Sequence, residues 1–222
     1  SALAQTHSLD EIIVIDDGSS EDHLAQARKA ATQSDCVQLI EKSNGGQLSC
    51  LQVGFDASLG ELVFFLDADD RWKPGYVARV LELLSKRPEV DFVATNKCEF
   101  YSNGEEKVVK RASRDRGYSI ALCLEKGGVW FGAPTSCLAI KRQILEKVFP
   151  APNPTAWSIC ADEALVYGAS LVGAHQYFLG DPLVEYRVHD NNSFFGKKDS
   201  PAHAFHRRLN ARMLIAHLRA RH

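Results

Sequence analysis

The sequence ELVFFLDADD at residues 61–70 decides the fold class of this chain. Its first six residues are almost continuously apolar, which is typical of a strand covered on both faces of a sheet. The strand ends abruptly at the carboxylates Asp67, Asp69 and Asp70. In open α/β sheets, ligands bind beyond the carboxyl ends of the strands. This stretch therefore predicts a buried strand of an α/β protein with an acidic site at its end.

Predicted helices and strands alternate around this strand, as hydrophobic periodicity and turn residues indicate. We predict strands over 11–15, 37–41 and 90–95, and helices over 21–34, 47–59 and 74–86. This alternation favours an α/β sheet with mostly parallel central strands. After residue 96 the pattern predicts mixed or antiparallel pairing. The later elements are a hairpin over 97–101 and 107–111, strands over 136–140 and 183–188, and helices over 142–148, 162–171 and 202–221.

Length and composition predict one domain with a full hydrophobic core, because 45% of the 222 residues are apolar. The net charge of −2 is not that of a nucleic-acid-binding surface, so no nucleic-acid partner is expected. The six cysteines lie far apart, which indicates reduced core residues of a cytoplasmic protein. No apolar run reaches the roughly 20 residues of a membrane-spanning helix. Residues 191–201 are predicted to form a mobile loop.

The acidic cluster Asp67, Asp69 and Asp70 repels itself unless a cation or strong hydrogen-bond donors are present. Mg²⁺ and Mn²⁺ favour oxygen ligands and commonly take one or two carboxylates together with substrate phosphates. The cluster is therefore a candidate site for a cation bound to a diphosphate. The alternative is a solvated acidic turn that caps the next helix.

Two further turns follow predicted strands. Asp16-Asp17-Gly18-Ser19-Ser20 offers carboxylates that can accept hydrogen bonds from a ribose or a base, although helix capping explains the same residues. Asn44-Gly45-Gly46 allows the backbone to approach a nucleotide closely, or forms a plain turn. Both alternatives stay open for each turn.

Taken together, these segments strongly resemble family 2 glycosyltransferases. The resemblance rests on IVIDDGS at residues 13–19, NGGQ at 44–47 and FLDADDRWKP at 65–74, in matching order and spacing. It continues through Asp162 and through YRVHDNNS at residues 186–193. The family implies a GT-A fold, a Rossmann-like α/β/α sandwich with a mixed central sheet. It also implies a nucleoside-diphosphate-sugar donor and inversion at the anomeric carbon.

The resemblance implies roles for particular residues. Asp17 would contact the nucleobase, and Asn44 would lie in the nucleotide-sugar site. Asp67 or Asp69 would bind the ribose, and Asp69 or Asp70 would hold Mn²⁺ or Mg²⁺ on the diphosphate. His189 would donate to the phosphate or ligate the same metal. Asp162 would take the proton of the acceptor hydroxyl, and a shift of one residue would give that role to Glu163. These assignments concern Asp17, Asn44, Asp67, Asp69, Asp70, Asp162, Glu163 and His189.

The same resemblance divides the chain into a nucleotide-sugar-binding half, 1–96, an acceptor-binding half, 97–200, and a basic terminal helix, 201–222. A UDP-sugar is the expected donor, and a glycan or lipid-linked sugar the expected acceptor. Trp72 and Trp157 would stack on an acceptor sugar or belong to the core. The terminal helix would lie on the inner face of the membrane or pack on the domain with a solvated basic face.

The sequence departs from the family pattern at two places. The usual opening strand and helix are absent, so the sheet is expected to lack a strand unless something such as a homodimer replaces it. The residues Cys50-Leu51-Gln52 stand where the family often has Ala-Arg-Asn, which removes a basic residue near the donor. The alternative function is accordingly a non-catalytic nucleotide-sugar-binding module or a truncated transferase.

Overall fold

The computed structural model describes residues 1–119, 132–158, 160–190, 192 and 200–222. The helices are α1 (Glu21–Ala31), α2 (Gln47–Ala57), α3 (Tyr76–Lys86), α4 (Arg142–Val148), α5 (Ala161–Leu171) and α6 (Pro201–Arg221). The strands are β1 (Ile12–Asp16), β2 (Val37–Glu41), β3 (Leu62–Phe64), β4 (Arg71–Trp72), β5 (Phe92–Tyr101), β6 (Glu106–Val108), β7 (Arg114–Tyr118), β8 (Leu138–Lys141) and β9 (His175–Val188).

The strands form two hydrogen-bonded sheets. β1 and β2 pair in parallel as a two-stranded sheet, and the larger sheet has seven strands in the order β3-β8-β5-β9-β4, with β6 on β5 and β7 on β9. Within the larger sheet, β5 and β9 are parallel, whereas β3 pairs antiparallel with β8. The prediction of an α/β fold with a mixed central sheet is confirmed, but the expectation of mostly parallel central strands is wrong. The reason is that β8 returns from the later half of the chain and lies between β3 and β5.

Each of β1 and β3 has one strand neighbour among the described residues, β2 and β8 respectively. Their apolar side chains are consequently half-buried, although the sequence of β3 predicts a strand covered on both faces. The loop before β3 is tied to the start of β1, because the Glu11 carboxylate accepts from the N–H groups of Leu59 and Gly60, both at 2.7 Å. In the segment 1–11 the structure has a 3-10 turn, Ala2–Ala4, and no strand.

Element boundaries differ from prediction where tertiary pairing overrides local pattern. β5 runs without a break through residues predicted as one strand and half of a hairpin, and β9 begins eight residues before the predicted strand at 183, at His175. The two strands stabilise each other along their length by parallel pairing. Strands β4 and β7 were not predicted, because Arg71–Trp72 is very short and Arg114–Tyr118 is mostly polar.

The core lies between the larger sheet and helices α3, α4 and α5. Trp72 and Trp157 are both buried, so neither is placed to stack on an acceptor and the core alternative is correct. Cys98 and Cys137 are buried, but three other free cysteines, Cys36, Cys50 and Cys160, are half-buried. The prediction of core cysteines is therefore only partly right, and Cys123 lies outside the described residues.

Two further predictions concern a mobile loop and membrane-spanning helices. Most of the predicted mobile loop over 191–201 lies outside the described residues. Among the helices of the described part, none combines the length and apolar character needed to cross a membrane.

Candidate active site

The acidic loop that follows β3 is held by Ser136, in the 3-10 turn Thr135–Cys137 that precedes β8. The Asp67 N–H donates to Ser136 Oγ at 3.0 Å, and the Asp70 N–H closes a turn onto the Asp67 carbonyl at 3.2 Å. The Trp72 indole N–H donates to the Ser136 carbonyl at 2.9 Å and anchors the far side of the loop. The loop is thus fixed at both ends by one serine of a neighbouring element.

Asp67 is half-buried at the start of this loop. Its Oδ1 accepts from the Gln47 side-chain amide at 2.8 Å. Burial raises the pKa of Asp67 to about 7, the Gln47 amide opposes the rise, and the charges of Asp70, Asp162 and Asp69 add to it. The carboxylates of Asp67, Asp69, Asp70 and Asp162 therefore lie close enough to interact.

Asp69 faces the late loop that follows β9. Its Oδ2 lies 3.0 Å from His189 Nε2. The position of His189 is set by Asn192, whose Oδ1 accepts from the His189 N–H at 2.6 Å and whose side-chain amide donates to the Arg187 carbonyl at 3.1 Å. The structure therefore brings together Asp69 and His189, two of the three predicted metal ligands.

Asp70 lies deeper than Asp69, with 6% of its surface exposed. Its Oδ1 accepts from the Arg187 N–H at 2.9 Å, so it ties the acidic loop to β9. Its Oδ2 is buried without a hydrogen-bond partner, and burial raises its pKa. Asp70 therefore has one oxygen with a structural role and one that a cation or donor would satisfy.

The neighbouring acids Asp162 and Glu163, at the start of α5, have different surroundings. Glu163 is buried, and both of its carboxylate oxygens pair with the guanidinium of Arg207 from α6. Asp162 is half-buried and accepts from the Glu163 N–H at 3.0 Å. The geometry therefore leaves Asp162, rather than Glu163, facing the other carboxylates.

The pKa of Asp162 suits proton transfer near neutral pH. Burial raises it to about 7, and the positive charge of Arg207 opposes the rise. Tyr186 on β9 lies among the same groups, since its pKa is raised by burial and by the charges of Asp70, Asp69, Asp67 and Asp162. A base works best when its pKa lies near the operating pH.

The turns at the ends of β1 and β2 meet through Asp17. Its carboxylate accepts from the Gly45 N–H at 2.9 Å and the Gly46 N–H at 2.8 Å, and it pairs with the Lys42 ammonium. Burial acts to raise the pKa of Asp17, but Lys42 and the two N–H groups outweigh it and the pKa is lowered. Asn44 is exposed on the same loop. Asp17 therefore orders the predicted nucleotide loop.

Asp16 forms the turn between β1 and α1, which was the alternative to a nucleotide contact for this segment. Its Oδ2 accepts from the N–H groups of Gly18 at 3.2 Å and Ser19 at 3.1 Å, which leads the chain into α1. Gly18 has a φ of +79°, a conformation that favours glycine. The turn alternative for the Asp16–Ser20 segment is therefore supported for Asp16, although Ser20 makes no side-chain capping hydrogen bond to α1. A nucleobase contact of Asp17 stays a prediction.

Gln47 is a residue whose role the sequence did not reveal. Its amide donates to Asp67 at 2.8 Å and to Thr135 Oγ1 at 3.2 Å, and its carbonyl oxygen accepts from the Ala161 N–H at 3.1 Å. It therefore joins the acidic loop to the first turn of α5. The sequence feature that could have pointed to Gln47 is its position in the NGGQ segment, directly after the glycines of the predicted nucleotide loop.

The donor atoms near Asp69 suit a divalent cation that also binds a diphosphate. Carboxylate oxygens and an imidazole nitrogen are ligands that Mn²⁺ accepts, and Mg²⁺ prefers oxygen. Within the ranges that the structure describes, no group of three or more His, Cys, Asp or Glu side chains would hold a metal by itself. Mg²⁺ usually binds one or two protein ligands, and phosphate oxygens and water complete its coordination shell.

Comparisons with known proteins find glycosyltransferases among the relatives of this chain. A glycosyltransferase of Nostoc sp. described as uncharacterised is 37% identical over 201 residues, which is 87% of this chain and 60% of that protein. An undecaprenyl-phosphate 4-deoxy-4-formamido-L-arabinose transferase of Sodalis glossinidius is 35% identical over 96 residues, covering 42% of this chain and 29% of that protein. The chain thus spans about 60% of the length of the Nostoc relative.

Among solved structures, S. aureus TarS 1–349 in complex with UDP-GlcNAc matches with a TM-score of 0.70 at 16% identity. The match covers 98% of this chain and 63% of that one. This likeness supports the GT-A fold. The sequence profile of Glycosyl transferase family 2 matches residues 1–149, more than half of the chain. The chain therefore belongs to glycosyltransferase family 2.

Proposed function

We propose that this protein transfers a single sugar from a UDP-sugar to an acceptor hydroxyl with inversion at the anomeric carbon. The observation that carries the proposal is the convergence of Asp67, Asp69 and Asp162, where Asp162 is half-buried with a pKa of about 7. UDP is favoured as the nucleotide by the UDP-GlcNAc complex of the structural neighbour TarS. The name of the Sodalis relative favours a lipid-linked acceptor.

The reaction requires a base on one side of the anomeric carbon and a stabilised leaving group on the other. Asp162 accepts the acceptor's hydroxyl proton while the acceptor oxygen bonds to the anomeric carbon. The bond between that carbon and the diphosphate oxygen breaks, and its electron pair leaves with the nucleoside diphosphate. One displacement of this kind inverts the anomeric configuration.

The remaining side chains bind and orient the donor. Asp67, held by Gln47, accepts from the ribose, and the loop ordered by Asp17 lies at the nucleobase. Asp69 and His189 would hold a divalent cation together with phosphate oxygens of the donor, and the buried Oδ2 of Asp70 in the same acidic loop would accept from a donor group or face the cation. When bound, the cation offsets the negative charge that develops on the departing diphosphate.

The experiment compares Asp162→Asn with Glu163→Gln. We expect Asp162→Asn to reduce transfer by at least about a hundredfold, the usual contribution of a general base, while donor binding is retained. Glu163→Gln should lower stability through its lost pairing with Arg207 and retain measurable transfer. Full transfer activity in Asp162→Asn would contradict the assignment of the base.

Donor binding is measured by calorimetric titration with UDP, GDP and their sugar conjugates, with and without Mn²⁺. Binding of UDP that strengthens with Mn²⁺ is the expected result. Binding that is equally tight in the presence of a chelator would contradict the role of Asp69 and His189. Failure of all these nucleotides to bind would favour a non-catalytic module.

A further inference from the structure

The terminal helix α6 is anchored to the domain by one of its faces. Leu214 and Leu218 are 0% and 4% exposed. On the same face Arg207 pairs with Glu163, the Asn210 side-chain amide donates to the Ala156 carbonyl at 2.9 Å, and Arg221 donates to the Phe149 carbonyl. These contacts extend along the helix and fix which face points away from the domain.

The opposite face of α6 carries a row of large apolar side chains. Phe205, Leu209 and Met213 are 64%, 43% and 40% exposed. They follow one another at intervals of four residues, so they form a continuous stripe along the helix. Exposed apolar residues arranged in a row, unlike scattered ones, indicate a contact surface.

A row of arginines runs beside this stripe. Arg208 and Arg212 are exposed one turn from Phe205 and Leu209, and the exposed Arg219 lies on the same side of the helix further along. The 21 residues of α6 include five arginines and no aspartate or glutamate. The outward surface of α6 is therefore apolar on one side and uniformly basic on the other.

We propose that the outer face of α6 binds an anionic lipid bilayer. Helices that lie in the bilayer interface combine Phe, Leu or Trp on the buried side with Lys or Arg on the polar side. The arginine stems lie along the apolar boundary while the guanidinium groups reach the phosphates. The exposed residues of α6 satisfy both requirements at once.

Charge favours a bilayer over a second copy of this chain. A symmetric contact between two copies places the same surface of both copies together. Arg208 and Arg212 of one copy would then approach the same basic row of the other, and α6 contains no acidic residue to offset the repulsion. Anionic lipid headgroups supply the opposite charge without this conflict.

Binding to a bilayer would also bear on the acceptor, and this consequence rests on the proposed function. Arg207 joins the inner face of α6 to Glu163, the neighbour of Asp162. A bilayer held on the outer face therefore lies one helix away from the proposed base. This arrangement suits an acceptor sugar that is attached to a membrane lipid.

The test is co-sedimentation of the full chain with vesicles, in the absence of any nucleotide. The vesicles contain phosphatidylcholine alone or equal parts of phosphatidylcholine and phosphatidylglycerol. We expect binding to the anionic vesicles that weakens with added salt, and much weaker binding to the neutral ones. Because no nucleotide is present, the result does not depend on the transfer reaction or its failure.

Variants then locate the surface. Arg208→Gln with Arg212→Gln should weaken binding by about 30-fold, since each arginine near an anionic surface contributes about fivefold. The control Lys29→Gln with Lys86→Gln removes the same charge from exposed positions on α1 and α3 and should leave binding unchanged. Equal loss in both double variants, or no vesicle binding by the parent chain, overturns the proposal.

A variant of the apolar row provides the second measurement. Phe205→Ser with Leu209→Ser should abolish vesicle binding while preserving the far-ultraviolet circular dichroism and the affinity for UDP, because both side chains are exposed. Sedimentation velocity is run on the same samples. A dimer of the parent chain that this variant dissociates, without vesicle binding by either protein, would show that the face joins two copies and would also overturn the proposal.

Discussion

Replacing Gln47 by methionine tests whether one side chain holds the acidic loop against helix α5. Methionine has nearly the same length and volume but cannot form the three hydrogen bonds of the amide. The change removes the donor to Asp67 at 2.8 Å, the donor to Thr135 at 3.2 Å and the acceptor of the Ala161 N–H at 3.1 Å. No other contact of the fold needs to change.

The expected cost follows from these three bonds. A hydrogen bond to a charged group contributes about 1.5–3 kcal/mol, and a buried polar group left unsatisfied costs about 1–3 kcal/mol. Gln47 is half-buried, so water replaces part of what is lost. We expect the free energy of unfolding to fall by about 3 kcal/mol. With a urea m-value of about 2–3 kcal/mol/M, the midpoint moves down by about 1–1.5 M.

Donor binding should weaken as well. The Gln47 amide lowers the pKa of Asp67, so its removal raises that pKa further above its ordinary value and favours the protonated carboxyl at neutral pH. Loss of one charged hydrogen bond at the proposed ribose contact corresponds to about a tenfold higher Kd for UDP. Calorimetric titration measures this value directly.

The control is Gln26→Met, an exposed glutamine of α1. It should change neither the urea midpoint nor the Kd for UDP. The reasoning is refuted if Gln47→Met loses less than about 1 kcal/mol and binds UDP as tightly as the parent chain. Such a result would mean that Asp67 and α5 keep their positions without the amide.

The remaining predictions concern pH, a backbone position and an ion pair. Because Asp162 accepts a proton only when ionised and has a pKa of about 7, kcat/KM should rise with pH through about 7, and a profile flat from pH 5 to 8 would contradict its role. Gly46→Ala should destabilise the protein by about 2 kcal/mol or more, because Gly46 has a φ of +83° and a Cβ there would lie 2.5 Å from Ser158 Cα. The control is Gly104→Ala, which has a similar φ of +84° but no atom near the added Cβ, so its loss of stability measures the backbone strain alone. Arg207→Met should cost about 3 kcal/mol in urea unfolding by leaving Glu163 buried and unpaired, and should move the pH profile upward because the charge of Arg207 lowers the pKa of Asp162.

The sequence predicted those parts of the site that depend on motif and order. The strand followed by Asp67, Asp69 and Asp70, the turn at Asp16 and the start of α5 all lie where periodicity and capping residues indicated. Local pattern suffices for these features because a strand end or helix start is specified by a few adjacent residues.

The sequence did not predict contacts between distant segments. The antiparallel pairing of β3 with β8 joins residues 62–64 to 139–141, and the Gln47 contact with Ala161 spans 114 positions. Such pairings depend on how the elements pack in three dimensions, and a single sequence contains no direct record of that packing. The two sheets and the role of Gln47 therefore emerged only from the structure.

The adjacent acids of this chain show why a motif alone leaves residue roles undecided. In the pair Asp162 and Glu163, Arg207 takes both oxygens of Glu163 and leaves Asp162 facing the site. In the pair Asp69 and Asp70, the buried member accepts from the Arg187 N–H, and Asp69 reaches His189. Neighbouring side chains at a strand end or helix start point in different directions, so one member is available for structural contacts and the other for a ligand.

The pair Asp16 and Asp17 departs from this division. Asp16 accepts from Gly18 and Ser19, while Asp17 is engaged by Lys42, Gly45 and Gly46, so both carboxylates have structural partners. A nucleobase that contacts Asp17 must therefore share the carboxylate with Lys42 or displace its ammonium group. The proposed base contact accordingly depends on Lys42 as well as on Asp17, and Lys42→Met should change the affinity for UDP, whereas an unchanged Kd would place the base away from this pair.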